Sequence, residues 1–94
     1  MVFGDGRVLA QSNAIIGYFG EGTAFIPADP YERARMYEWL FWEQYSHEPY
    51  IAVARFQRLL GGKRPDEIEP RLMERGHAAL ARMEGALAGA DWLV

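Results

Sequence analysis

Gln11 and Ser12, in the stretch LAQSNAI, are adjacent polar residues between a Val-Leu pair and an Ile-Ile pair, where an extended segment hands over to a helix. Serine at a helix start is among the commonest caps, and most serines so placed do nothing else. A helix N-terminus also offers free N–H groups and the positive end of the helix dipole. Ser12 Oγ, the Ser12 backbone N–H and the Gln11 amide could therefore together hold a carboxylate. An amino-acid-like ligand fits that chemistry.

The other residues with reactive side chains offer less. His47, in QYSHEPY, has the side chain of a general base, but no serine, threonine or carboxylate triad can be argued around it, and a structural role is the expectation. His77 adjoins the exposed side of its helix and has no visible role. Neither histidine has a neighbouring ligand set at metal-binding spacing, so no metal is expected. The absence of cysteine excludes disulfides, thiolate metal sites and a cysteine nucleophile from these residues. The aromatic cluster of Tyr37, Trp39, Phe41, Trp42, Tyr45 and Tyr50 reads first as core and interface. Part of it could line an apolar pocket beside a polar ligand site.

Composition narrows the classes further. Half of the 94 residues are hydrophobic and 14% are aromatic, enough for a packed core and against disorder. Ten Lys and Arg against 13 Asp and Glu give a net charge of -3. No run of like charge could follow a phosphate backbone, so nucleic acid is not an expected partner. No stretch approaches the roughly 18 to 20 apolar residues of a membrane span. The start, MVFGDGRV, lacks a basic segment followed by an apolar run, which makes the cytoplasm the default compartment.

The elements that must position these residues can be read along the chain. Val2-Phe3 and Val8-Leu9 flank Gly4-Asp5-Gly6, a spacing that predicts a β-hairpin over 2–9. Two strands alone are marginal in water, so the hairpin should belong to a larger sheet. Ala14, Ile15, Tyr18 and Phe19 at helical spacing predict a helix over about 12–20, with Ser12 in the capping position. A proline-bearing loop, TAFIPADP, follows. Asp29, Pro30 and Glu32 then form a helix start: cap, first-turn proline and acidic third position. The helix from there to Gly61-Gly62 would be unusually long, with a kink or break near Pro49. Met36, Trp39, Leu40, Tyr50, Ile51 and Ala54 share one of its faces, and Phe41, Tyr45, Ala52, Phe56 and Leu59 the opposite one. An apolar second face calls for a second cover, from further chain or another subunit. In the third helix, Ile68, Leu72, Gly76, Ala79, Leu80, Met83 and Leu87 make one buried stripe, with Gly76 suiting close helix contact. Glu69, Arg71, Glu74, Arg75 and Arg82 make a solvated side.

Three of these stretches, in order and in register, resemble the cytosolic glutathione S-transferases. LAQSNAIIGYFGE is similar to that family's Glu/Gln-Ser-x-Ala-Ile-x-x-Tyr-Leu segment. IPADPYERARMYEWLFWEQYSHEPYIAVARF resembles its interdomain linker and the first helix of its C-terminal domain. GHAALARMEGALAGADWLV resembles its Met-Glu-x-x-Leu-x-x-x-x-Trp-Leu-Val helix. The resemblance covers essentially the whole chain. It implies that Gln11 and Ser12 hold the γ-glutamyl end of glutathione, which enters as a cosubstrate with no resident cofactor. It implies that Tyr37, Phe41 or Tyr45 contribute to an apolar cosubstrate pocket, and that the protein is a homodimer through its short and long helices. The family's thiol-activating residue and the cis-proline before its hairpin have no counterpart here. The chain accordingly resembles the middle of a transferase, and no turnover is expected from it alone.

The resulting expectation is a mainly α fold of α+β origin. Residues 1–27 would form the end of a thioredoxin-like glutathione-binding domain, with a hairpin and a short helix. Residues 28–94 would form part of an all-α C-terminal domain with long antiparallel helices. Glutathione binding is the leading function, with conjugation to electrophiles belonging to the full-length enzyme. A non-catalytic helical self-association module is the alternative.

Overall fold

Asp29 opens the longest helical run. Its Oδ1 accepts hydrogen bonds from the backbone N–H groups of Tyr31, at 2.9 Å, and Glu32, at 3.0 Å, satisfying two donors that a helix start leaves unpaired. The computed structural model describes all residues from Met1 to Val94. Four α-helices follow in order: α1 (Ser12–Gly20), α2 (Pro30–Trp42), α3 (Glu48–Leu59) and α4 (Pro70–Leu87). The chain divides into two compact units, Met1–Met36 and Tyr37–Val94.

In the first unit the expected β-hairpin over 2–9 is not formed. There is no strand and no sheet; Val2 and Val8 make one isolated antiparallel bridge. The turn itself is present. Gly6 takes a left-handed φ of 84°, Asp5 Oδ1 accepts the Arg7 N–H at 3.0 Å, and Gly6 N–H donates to Phe3 C=O at 3.0 Å. Asp-Gly specified the reversal, and Phe3 N–H donates to Arg7 C=O at 2.9 Å while Met1 and Leu9 exchange bonds at 2.9 and 3.0 Å, but arms this short carry one bridge and no ladder. Without a sheet, these residues show no thioredoxin-like β layer. What anchors the loop to α1 is aromatic: Phe3 meets Tyr18 edge-on, with centroids 5.1 Å apart.

α1 spans the residues its periodicity predicts, but its cap is one residue earlier. Gln11, not Ser12, is the N-cap, and Ser12 is already helical.

In the second unit, the disturbance expected near Pro49 takes the form of a π-helical turn over Glu43–His47. Pro49 has no N–H for the helix ladder and its ring crowds the preceding turn. The backbone widens there, and Glu48 N–H donates five residues back to Glu43 C=O. The axis then resumes as α3. Gly62, with a left-handed φ of 67°, ends it, and Lys63 N–H reaches back to Gln57 C=O at 3.0 Å.

A short 3-10 turn, Pro65–Glu67, precedes α4, whose first residue is Pro70. α3 and α4 pack antiparallel, since Ile51 meets Gly76 while Trp39, earlier in the chain, meets Arg82, later in it. Ile68, Leu72, Gly76 and Ala79 are buried, and Met83 and Leu87 are half-buried. Leu80 departs from the expected stripe at 51% exposure, because at 100° per residue it falls on the stripe's edge. On the long helical run Trp39 is buried and Met36, Leu40, Tyr50, Ile51 and Ala54 are half-buried, whereas the opposite face of Phe41, Tyr45, Ala52, Phe56 and Leu59 is exposed.

Candidate functional site

Gln11 is the one residue other than glycine with a positive φ, at 70° with ψ 123°. An L side chain there costs of order 1–3 kcal/mol, and such conformations persist only where the surroundings enforce them. Gln11 C=O still begins the helix by accepting Ile15 N–H at 3.0 Å. Its side chain makes no capping hydrogen bond, and no acidic residue lies in the first turn. Gln11 and Ser12 are both exposed. The result is a helix N-terminus whose dipole no carboxylate of its own first turn offsets, with an amide and a hydroxyl beside it. Chemically this suits a carboxylate or another small anion.

The sequence signals placed Ser12 at the cap because serine prefers that position far more than glutamine does. Local propensity holds no warning of a positive φ at glutamine. The conformation is visible only in the folded backbone.

Of the expected apolar pocket residues, all in the second unit, two come together. Tyr37 and Phe41, one turn apart, stack with centroids 6.3 Å apart and 27° between planes. Tyr45, 80% exposed, takes no part in that stack. His47 behaves as structure: its ring lies 5.9 Å from that of Trp42, and its Nδ1 is 3.8 Å from Glu43 Oε1, beyond hydrogen-bond distance. His77 lines a shallow apolar groove between α3 and α4, with Ile51, Leu72 and Gly76 on its other walls.

Arg82 is the residue whose surroundings sequence reasoning missed. Expected on a solvated side, it lays its guanidinium 5.1 Å from the ring centroids of both Trp39 and Trp42. Those two rings meet edge-on at 5.1 Å, and Arg82 Nη2 is 3.5 Å from Glu38 Oε1. The half-exposed ion pair contributes little, while each cation–π contact contributes about 0.5–1 kcal/mol. The signal that could have found it is the Glu38, Trp39, Trp42 spacing, which gathers a carboxylate and two indoles on one side of α2.

No family model matches the sequence, and no curated protein matches it. Among solved structures, a glutathione S-transferase from Pseudomonas fluorescens Pf-5 is 43% identical, with a TM-score of 0.92, over 99% of this chain and 47% of its own. A glutathione S-transferase from Xanthobacter autotrophicus Py2 is 50% identical, with a TM-score of 0.88, over 99% of this chain and 46% of its own. The chain thus spans about half the length of the structures it matches. Identities of 43% and 50% over 99% of the chain, with the fold retained, show descent as well as shape; the chain belongs to the glutathione S-transferase family.

Proposed function

We propose that this chain supplies the seat for the γ-glutamyl end of glutathione, with Gln11 and Ser12 as the contacting residues. The strained backbone of Gln11 at the open N-terminus of α1 carries the reading, since such strain persists where a function or the surrounding fold requires it. Ser12 Oγ and the first-turn N–H groups take the carboxylate, and the Gln11 side-chain amide, through its carbonyl oxygen, takes the ammonium group. Glutathione enters as a cosubstrate, with no resident cofactor. The stacked Tyr37 and Phe41, with Tyr45, form the apolar surface for the electrophile, and conjugation of the two is the activity of the whole protein.

Thiol activation depends on a donor or positive charge placed at the sulfur, and Gln11 and Ser12 are assigned to the γ-glutamyl end of the tripeptide, away from it. The isolated chain therefore binds without turning over. Titration of glutathione into the labelled chain should move the amide resonances of Gln11 and Ser12; unmoved resonances at millimolar glutathione reject the assignment. A conjugation rate above background with a reactive aryl halide would reject the absence of turnover.

A second reading has its own observation. Phe41, Tyr45, Phe56 and Leu59 form an apolar face at least 60% exposed at each residue. A second copy laid along that face would make the chain a self-association module and would cover Phe41 and Tyr45, so it competes with the electrophile surface for those two residues. Light scattering separates the cases, because a monodisperse monomer at high concentration removes this reading. No helix of the chain is long and apolar enough to cross a membrane.

A further inference from the structure

The face that α2 shares with α3 reaches it across the π-helical turn Glu43–His47, and the apolar pattern of α2 by itself leaves more than one side able to face α4. Tyr37, Trp39, Leu40, Phe41 and Trp42 place large apolar side chains around most of its final turn and a half, so several rotations would bury comparable area. Yet Trp39 is 9% exposed and Phe41 is 64% exposed. The difference between the two sides lies on α4. Arg82 faces both indoles at 5.1 Å and Glu38 at 3.5 Å. Residues 38, 39 and 42 share one side of α2, and residues 37 and 41 lie about a third of a turn away.

We propose that Arg82 is a positioning residue, which selects the rotation of α2 that leaves the Tyr37–Phe41 stack facing outward as the electrophile surface. Indole is the strongest of the aromatic partners for a guanidinium, and the one acidic side chain of this turn, Glu38, lies on the indole side. A rotation that buried Tyr37 and Phe41 would exchange two indoles and a carboxylate for a phenol and a phenyl ring. The stacked pair would then be covered and the tryptophans exposed. The inference rests on the reading of Tyr37 and Phe41 as part of the apolar pocket, and its test separates the two.

The test uses the full chain, with 2,4-dinitroaniline as aromatic probe and glutathione as control, both followed by NMR. Arg82→Met keeps the stem and loses the guanidinium. It should bring the buried Trp39 indole N–H into exchange with water and weaken the probe about fivefold, the scale of one cation–π contact, while the response to glutathione alone stays as in the unmodified chain. Arg82→Lys keeps the charge without the planar fork and should fall between; it carries the same comparison if Arg82→Met does not fold. A Trp39 indole N–H that stays protected, with unchanged probe affinity, overturns the proposal. So does a parallel loss of probe, glutathione and far-UV helicity, which marks a role in stability alone. Phe41→Ala isolates the pocket: unchanged probe affinity there, with Trp39 indole protection still sensitive to Arg82, rejects the pocket reading and leaves the rotational role of Arg82 standing.

Discussion

Gly76 of α4 faces Ile51 of α3 so closely that a β-carbon on the glycine would lie 3.4 Å from Ile51 Cγ1. That is ordinary van der Waals contact, with room for one methyl group and no more. Gly76→Ala should therefore be neutral or stabilising by up to about 1 kcal/mol, since alanine is the better helix former. Gly76→Leu should destabilise by about 1–3 kcal/mol through overpacking. Urea denaturation of the two variants checks the pair, and a destabilised Gly76→Ala would show that the helices approach more closely than this geometry allows.

Asp29 caps α2 through two hydrogen bonds to one carboxylate oxygen, at 2.9 and 3.0 Å. Removing them by Asp29→Ala should cost about 1 kcal/mol, and Asp29→Asn should recover most of that because its side-chain carbonyl can accept the same bonds. Thermal melts would show Asn close to the unmodified chain and Ala below it.

Those two sites also mark what could be read without coordinates. The Asp29-Pro30 start and the Gly62 stop depend on neighbours within one turn, so residue type and spacing fixed them in advance. Gly76 was legible because a glycine in an apolar stripe has few other uses. The bridge at Val2 and Val8 was over-read: Asp5-Gly6 encodes a reversal, but ladder formation depends on partners that the local sequence does not describe. Pro49 announced a break without specifying that the backbone would widen into a π-helical turn. In the candidate site, Gln11 and Ser12 were visible as polar residues at a helix start, but the positive φ at Gln11 was not. Arg82 was hidden for a related reason: its partners lie some 40 residues away, beyond any periodicity of its own helix.

The strain at Gln11 sets stability against binding. Gln11→Gly places at φ 70° the residue that tolerates it best and removes a side chain that makes no capping bond, so the chain should be stabilised by a few tenths to about 1 kcal/mol. The same change deletes the amide assigned to the γ-glutamyl ammonium group, and glutathione affinity should fall about tenfold, the equivalent of one hydrogen bond to a charged group. Calorimetric titration beside a melting curve reads both. A stabilised variant with undiminished affinity would remove Gln11 from the site.

Leu72 and Phe56 should separate folding from association. Leu72 is 9% exposed on the buried stripe of α4, so Leu72→Ala should cost about 2–5 kcal/mol at any protein concentration. Phe56 is 60% exposed on the outer face of α3, where it borders a shallow apolar hollow with Ala52, Arg55, Leu59 and Leu60. Phe56→Ala should change the stability of the dilute chain by no more than about 0.5 kcal/mol. If a second copy covers that face, the same variant removes a large aromatic contact from the centre of the association surface, and self-association should weaken about tenfold or more. Denaturation at low concentration and light scattering across a concentration series give the two numbers independently. A Phe56→Ala chain that associates like the unmodified one would assign the exposed face of α3 to something other than a second copy.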